Sequence, residues 1–405
     1  MKEIYKTKKL ENVGYDIRGP VAEQAERMAQ EGIEILSLNT GNPAKFGFFA
    51  PTEIENALID NIRFSQGYSD SQGIESALTA IREYCTLKGF IGIKNEDIYT
   101  GNGVSELISI ALQALIDNGD EILLPTPDYP LWTSVATLCG GNVVYYRCDE
   151  GADWMPDIDD ISKKVSSRTK AIVIINPNNP TGSLYSKDCL LKILDIARQN
   201  NLVVFADEIY DRLVMDDLEH YSCAALAPDV FTVTLNGLSK SHMLAGYRCG
   251  WMTLTGDRAH AKSYIEGIRM LSSMRLCSNV LAQSVIKAAL DNPFASADLL
   301  KPGGRLYEQR NYIWKAINDI PGLSCTLPNA AFYLFPKIDI KKFNISDDER
   351  FVLDFLHEHH ILLTHGKGFN WPVCDHFRIV YLPEVNELKH VSESMKLFLE
   401  NYWQR

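Results

Sequence analysis

A lysine set just beyond a strand can act as a reagent, and Lys240 is placed in that way. The run Phe231-Thr232-Val233-Thr234-Leu235 reads as a strand, and Asn236-Gly237-Leu238-Ser239-Lys240 follows it. An amine whose ammonium form is disfavoured by burial or by a neighbouring cation can condense with an aldehyde, and Arg248 lies eight residues downstream. Read alone, the same lysine is an ordinary solvated charge. Its company decides.

Two further strand ends carry groups suited to the same chemistry. Asn176-Pro177-Asn178-Asn179-Pro180-Thr181-Gly182 follows the apolar run 171–175. Two prolines and a glycine stiffen this loop, so Asn179 would offer its amide to an anionic oxygen at little ordering cost; a plain rigid connection is the alternative. Asp207-Glu208-Ile209-Tyr210 ends the apolar run 202–206. A carboxylate there is expected to be partly desolvated and to require a cationic or hydrogen-bonding partner, for which a protonated ring nitrogen would serve. Tyr210 could donate to another atom of the same ring, whereas a helix-capping role for Asp207 would leave the other strand-end groups uncoordinated.

Gly101-Asn102-Gly103-Val104-Ser105-Glu106 opens a helical stretch predicted over 107–116. Glycines before a helix N-terminus expose backbone N–H groups where the helix dipole is positive, an arrangement that holds a phosphate. The block lacks the third glycine of a dinucleotide fingerprint and the Gly-Lys-Ser/Thr of a P-loop, and a simple capped helix start is its other reading. Gly41, in the turn cluster 39–43, allows backbone to approach a ligand closely, and Tyr68 is an aromatic on the loop 66–73.

These groups must be positioned by an alternation of strands and helices. Strands are predicted over 121–125, 142–148, 170–176, 202–207, 231–235 and 249–254, with helical patterns such as 186–199 in the longer gaps. That pattern specifies an α/β fold, a mainly parallel sheet covered by helices on both faces, whose ligands sit beyond the carboxyl ends of the strands. From about residue 302 the pattern mixes helices over 305–318, 351–358 and 388–402 with short strands over 323–327, 332–335, 361–364 and 377–382, which reads as a smaller α+β domain. A helix over 21–32 and a short strand over 35–38 precede the main sheet. The predicted division is an N-terminal segment 1–46 packing with the small domain and the site, a large domain 47–295 and a small C-terminal domain 296–405.

The 405 residues are 46% hydrophobic and 23% charged, the composition of a packed globular protein. A net charge of −12 without a basic run leaves no footprint for nucleic acid, so an anionic ligand must be held by local arginines. No apolar stretch reaches the roughly 18 residues of a membrane span, and none follows the charged start as an export signal would require. Nine cysteines, odd in number and without a CxxC pair, argue against zinc or a disulfide framework and fit a reducing cytoplasm. His357-Glu358-His359-His360 is not HExxH and reads as a solvated helix end, with no metal expected; Tyr145, Tyr146 and Trp154 read as core or interface aromatics.

Asn179, Asp207 with Tyr210, and Lys240 thus arrive at one edge of the sheet from three consecutive strands. With the helix start at Gly103 and with Arg248, the site asks for a ligand bearing an aldehyde, a basic ring nitrogen, a ring hydroxyl and a phosphate, and pyridoxal phosphate has all four. The sequence resembles the class I aminotransferases of the fold type I pyridoxal-phosphate superfamily over nearly its whole length. It is most similar to the bacterial glutamate–pyruvate (alanine) aminotransferases in Tyr15-Asp16-Ile17-Arg18-Gly19-Pro20, 101–107, Pro127-Asp128-Tyr129-Pro130-Leu131-Trp132, 176–182, 207–210 and 236–240.

The resemblance implies that Lys240 holds the cofactor covalently and shuttles the substrate α-proton, that Asp207 keeps the pyridine nitrogen protonated, that Tyr210 and Asn179 bond the ring oxygen, and that Tyr129 stacks on the ring. It implies that the phosphate takes backbone donors at Val104 and Ser105, the guanidinium of Arg248 and, across a homodimer interface, Tyr68 of the partner subunit. Arg378 would grip the substrate α-carboxylate with Gly41 against it, since a planar fork suits bidentate binding. Tyr15 and Arg18 are the substrate-side candidates on the N-terminal segment, and Arg275 competes with Arg18 for a second carboxylate. Two departures stand out: Gly237 replaces a serine that many relatives use on the phosphate, so that Ser239 or a water would substitute, and Ala330 precedes Ala331-Phe332-Tyr333 where a glycine is usual. The implied protein is a cytoplasmic homodimer that moves an amino group between L-alanine and 2-oxoglutarate by ping-pong half-reactions. An aromatic or methionine aminotransferase, a C–S lyase using the same cofactor, and a non-catalytic ligand-sensing relative are the alternatives.

Overall fold

The computed structural model of the chain describes residues 3–291 and 296–405. Eight strands form one sheet in the order Ile98–Asn102, Cys249–Thr255, Thr232–Gly237, Val203–Asp207, Thr169–Ile175, Glu121–Thr126, Asn142–Asp149 and Met155–Pro156. The run from Thr232–Gly237 to Asn142–Asp149 is parallel throughout. Cys249–Thr255 is antiparallel to both its neighbours, and the two-residue Met155–Pro156 adds an antiparallel edge. The α/β architecture expected from the alternating pattern is therefore the one found.

The strands read as continuous apolar runs because both faces of the sheet are covered. On Thr169–Ile175, Ile172 and Ile174 enter an apolar cluster with Leu190, Ile193 and Leu194 of the helix Lys187–Gln199. Ala171, Val173 and Ile175 point the other way, into a cluster with Leu107, Ile108 and Ala111 of the helix Val104–Gln113. Helix starts follow capping chemistry. Ser186 accepts from the backbone N–H of Cys189. Val104–Gln113 begins three residues earlier than its apolar periodicity predicts, because Gly103 turns the chain at φ 82° and the Glu106 carboxylate reaches back to the Asn102 N–H at 2.8 Å.

Toward the C-terminus, the helices Arg305–Asn318, Asp348–His359 and Val385–Asn401 accompany a three-stranded antiparallel sheet of Tyr333–Leu334, Phe377–Val380 and Thr364–His365. The helix Pro20–Gln30 buries Val21, Ala25 and Met28 in one apolar cluster with Phe355, Leu356 and Val391 of these helices, and the strand Leu36–Ser37 pairs in parallel with Ile361–Leu362. The N-terminal segment is thereby laid along the C-terminal part of the chain, and its turn 39–43 is delivered to the sheet edge. The boundary expected at 295/296 adjoins residues 292–295, which lie outside the described residues, as do residues 1 and 2 of the charged start.

Tyr146 and Trp154 are buried core residues. His359 departs from the solvated helix end expected for it: its ring packs on Phe355 and Phe398, because the last turn of its helix faces Val385–Asn401. Among the described residues, no helix is long and apolar enough to cross a membrane.

Candidate active site

Ile175, Asp207 and Leu235 are register partners across three adjacent strands, so these strands end in step and their following residues emerge at one edge. Lys240 lies on the short helix Leu238–Ser241 directly after Thr232–Gly237. Its Nζ donates to the Gly41 carbonyl at 2.8 Å and sits 5.8 Å from the centre of the Phe332 ring. Burial, with Arg378 and Arg248 nearby, lowers its pKa from 10.5 to about 8. A lysine so placed has an accessible free-amine form near neutral pH, which an ordinary surface lysine lacks.

Asp207 is 3% exposed. One carboxylate oxygen takes the Trp132 indole N–H at 3.1 Å and the other a long bond of 3.4 Å from the Ile209 N–H. No cation faces it among the described residues, and burial pushes its pKa up to about 6. A carboxylate kept dry without a counter-ion suits a ligand that brings its own positive charge.

Arg378 is the complementary case, a guanidinium buried to 2% exposure without a carboxylate partner among the described residues. It donates to the Asn179 side-chain oxygen at 2.8 Å and to the Asn39 carbonyl, and it lies against the rings of Tyr333 and Phe369 at 4.6 and 4.4 Å. Its Nε is buried and has no hydrogen-bond partner among the described residues. With the oxygen of Asn179 engaged, the Nδ2 end of that amide is the one left to donate. The loop carrying Asn179 has cis bonds before both Pro177 and Pro180.

Four tyrosines complete the walls. Tyr210 and Tyr333 join hydroxyls at 2.7 Å, and Tyr15 and Tyr129 at 2.8 Å with rings edge-on at 77°. At the opposite end, Gly101, Gly250 and Gly237 lie opposite one another across three strands. A Cβ on Gly250 would stand 2.7 Å from the Val104 nitrogen, and one on Gly103 would stand 2.4 Å from the Arg248 guanidinium. The side-chain-free row lets the N-terminus of Val104–Gln113 rest on the sheet with Arg248 beside it, leaving the first-turn donors at Val104 and Ser105 in a basic setting. A Cβ on Gly237 would lie 2.6 Å from the Cys249 carbonyl and 2.9 Å from the Gly250 Cα, so serine does not fit there on this backbone. Ser239 is buried on the turn that follows. An unpaired buried carboxylate, an unpaired buried guanidinium, a depressed amine and a cradle a Cβ would fill together match the donor set that pyridoxal phosphate and an amino acid require.

Three candidates are not brought into this cluster. Arg18 is exposed at the end of the turn Asp16–Arg18. Tyr68 is 82% exposed. Arg275 is committed to the Glu106 carboxylate and to the carbonyls of Ser71 and Thr100. Conversely, Trp132, Tyr333, Phe332, Asn39 and Phe369 touch site groups although no sequence motif gives them a role. Trp132 carried the only strong signal, an indole in the first turn after a strand-end loop.

The sequence profile described as aminotransferase class I and II matches residues 33–394. The chain is 55% identical over 404 residues to the glutamate-pyruvate aminotransferase AlaA of Escherichia coli (strain K12), covering 100% of both chains. It is 51% identical over 397 residues to the alanine aminotransferase of Mycobacterium tuberculosis (strain H37Rv), covering 98% of this chain and 92% of that one. A solved aminotransferase from Escherichia coli superposes with a TM-score of 0.98 at 55% identity over 100% of both chains.

Proposed function

The chain belongs to the class I and II aminotransferase family, and on that footing we propose that it moves the amino group between L-alanine and 2-oxoglutarate, giving pyruvate and L-glutamate in two half-reactions. The full-length similarity to glutamate–pyruvate and alanine aminotransferases supports this substrate pair. Its cofactor is pyridoxal phosphate. The single observation that carries the site assignment is the depressed amine of Lys240, 2.8 Å from the Gly41 carbonyl and near the Arg378 guanidinium, on the strand-end edge that also presents the Asp207 carboxylate.

Bound there, pyridoxal phosphate supplies a carbonyl that joins amines and a ring that accepts the electron pair freed when the substrate Cα–H bond breaks. In this proposal Lys240 would anchor the cofactor, and its Nζ would hold and move the substrate α-proton. Asp207 holds a proton on the pyridine nitrogen, with Trp132 fixing the carboxylate. Tyr210 and the Nδ2 of Asn179 donate to the ring oxygen. Tyr129, steadied by Tyr15, covers the ring face. Val104, Ser105 and Arg248 hold the phosphate, with Ser239 as a nearby hydroxyl. Arg378 receives the substrate α-carboxylate beside Gly41. Arg18 is retained as the candidate for the glutamate side-chain carboxylate.

We further divide the chain into a segment 1–46, a large cofactor domain 47–295 and a small domain 296–405. A homodimer with Tyr68 of the partner subunit reaching the phosphate is supported by the exposed Phe64, Tyr68, Met274 and Leu276 and by the bond from Ser273 to Ser71, which brings these segments together. A cytoplasmic location is supported by nine cysteines without a disulfide. Lys240→Ala tests the assignment: a folded variant should lose multiple-turnover transamination by roughly a thousandfold or more, and near-parental turnover would reject Lys240 as the anchor.

A further inference from the structure

We propose that Lys88 is a positioning residue for the cofactor site, its ammonium bracketing from outside the sheet the two strand-end loops that carry Asn179 and Asp207. The inference rests on the reading of those two residues as cofactor ligands. Lys88 caps the helix Glu75–Leu87, and its Nζ donates to Asp211 at 2.6 Å and to the His220 Nδ1 at 3.1 Å, with Glu208 at 4.0 Å. Glu208 and Asp211 flank Tyr210 on the loop after Asp207. His220 reaches the other loop, its Nε2 lying 3.1 Å from the carbonyl of Asn176.

Hydrogen-bond chemistry fixes the direction of this chain. An ammonium has no acceptor, so the His220 Nδ1 must accept from Lys88 and its proton must sit on Nε2, where it donates to the Asn176 carbonyl. Burial and the adjacent Lys88 charge hold His220 neutral by driving its pKa down to about 3. Lys88 therefore ends in two bonds that each tie a different loop. The Asn176 N–H also donates to the Asp207 carbonyl at 3.1 Å, so the loops share one backbone bond, and Lys88 supplies the charged bracket beside it. Carboxylates face the lysine, and the Arg212 guanidinium stacks against the Tyr84 ring of the same cluster at 4.5 Å. Asp211 also receives the hydroxyl of Tyr84, while Glu208 takes Ser222 and the Cys223 N–H at 2.8 and 3.1 Å. Removing the lysine alone would leave two buried carboxylates without their cation, a far worse state than removing the lysine and an acid together.

The test compares the full-length holoenzyme with Lys88→Met and with the double variant Lys88→Met/Asp211→Asn. Three readouts are taken: kcat and KM for the amino acid, the dissociation constant of pyridoxal phosphate from the apoprotein by fluorescence, and the imidazole nitrogen shifts of His220 at a pH of about 6. In the parent, His220 should be neutral and protonated on Nε2. In Lys88→Met, kcat should fall and the cofactor dissociation constant should rise, each by roughly ten- to a hundredfold, with KM changing much less and the His220 tautomer losing its preference. The double variant lacks the bracket but not the charge balance, so its thermal stability should return toward the parent while kcat and cofactor affinity stay lowered, and it keeps the test open if the single variant does not fold. Parental kcat and cofactor affinity in Lys88→Met would overturn the proposal, as would a double variant that regains parental kcat and cofactor affinity without the ammonium. The His220 shifts and cofactor affinity do not depend on which amino acid reacts, so a failed substrate assignment is distinguishable from a failed positioning role.

Discussion

Arg378 and Asn179, 199 positions apart in sequence, share a hydrogen bond of 2.8 Å between a guanidinium Nη1 and a side-chain amide oxygen. The bond couples the proposed substrate grip to the proposed donor on the cofactor ring. It also selects the face of the amide presented to the ring, because the oxygen is already spoken for. Substrate binding and cofactor electronics should therefore not be independent at these two positions.

A double-mutant cycle of Arg378→Lys and Asn179→Ala measures this coupling. Arg378→Lys should raise KM for the amino acid by roughly 10- to 100-fold through loss of bidentate geometry, since charge-assisted bonds contribute about 1.5–3 kcal/mol each. The two changes together should cost less than their sum by about 0.5–2 kcal/mol. Strict additivity in kcat/KM would show the two residues acting separately.

Asp207 and Lys240 make the site pH-sensitive in opposite ways. In the apoprotein the carboxyl of Asp207 has its pKa raised to about 6, so between its ordinary value and 6 the folded chain binds the extra proton and stability falls as pH rises through that window. Ionisation above about 6 then prepares it to hold a ring cation, and cofactor affinity should climb across that midpoint. Lys240 is shifted down to about 8, so the unfolded chain binds the extra proton between about 8 and 10.5 and stability rises with pH there. Cofactor capture should accelerate toward a plateau above about 8. In Asp207→Asn the lower limb should vanish and kcat should drop by roughly 100-fold or more, because the lost charge acts chiefly in the transition state. A retained limb near 6 would assign that titration elsewhere.

Gly237→Ser would install the hydroxyl that many relatives use on the phosphate, and it should fail to help. The new Cβ would meet the Cys249 carbonyl at 2.6 Å, backbone against side chain within the sheet. Overpacking of this kind costs about 1–3 kcal/mol, so thermal denaturation should show a lower Tm without tighter cofactor binding. A parental Tm with improved cofactor affinity would mean that the two strands separate readily at this point.

What sequence reveals here is whatever short spacing carries. The apolar runs 171–175, 202–206 and 231–235 determine both the parallel sheet and the edge on which chemistry is placed, since strands in register end together. Long-range partners are invisible to such reading. Trp132 reaches Asp207 across 75 positions, and Tyr333 reaches Tyr210 across 123, through packing that no local pattern encodes. Gly237 reads in sequence as a missing ligand, whereas Gly250 lies opposite it, and Arg275 reads as a candidate for a second carboxylate, whereas Glu106 lies beside it. In both cases the meaning of a residue lay on a neighbouring element.

The most direct measurement is a half-reaction screen. Purified holoenzyme is mixed with one amino acid at a time, without an oxo-acid acceptor, while the visible absorption of the cofactor is followed and the released oxo acid is identified. L-Alanine and L-glutamate should each convert the cofactor band, releasing pyruvate and 2-oxoglutarate. Conversion by an aromatic amino acid or methionine with none by L-alanine would contradict the account.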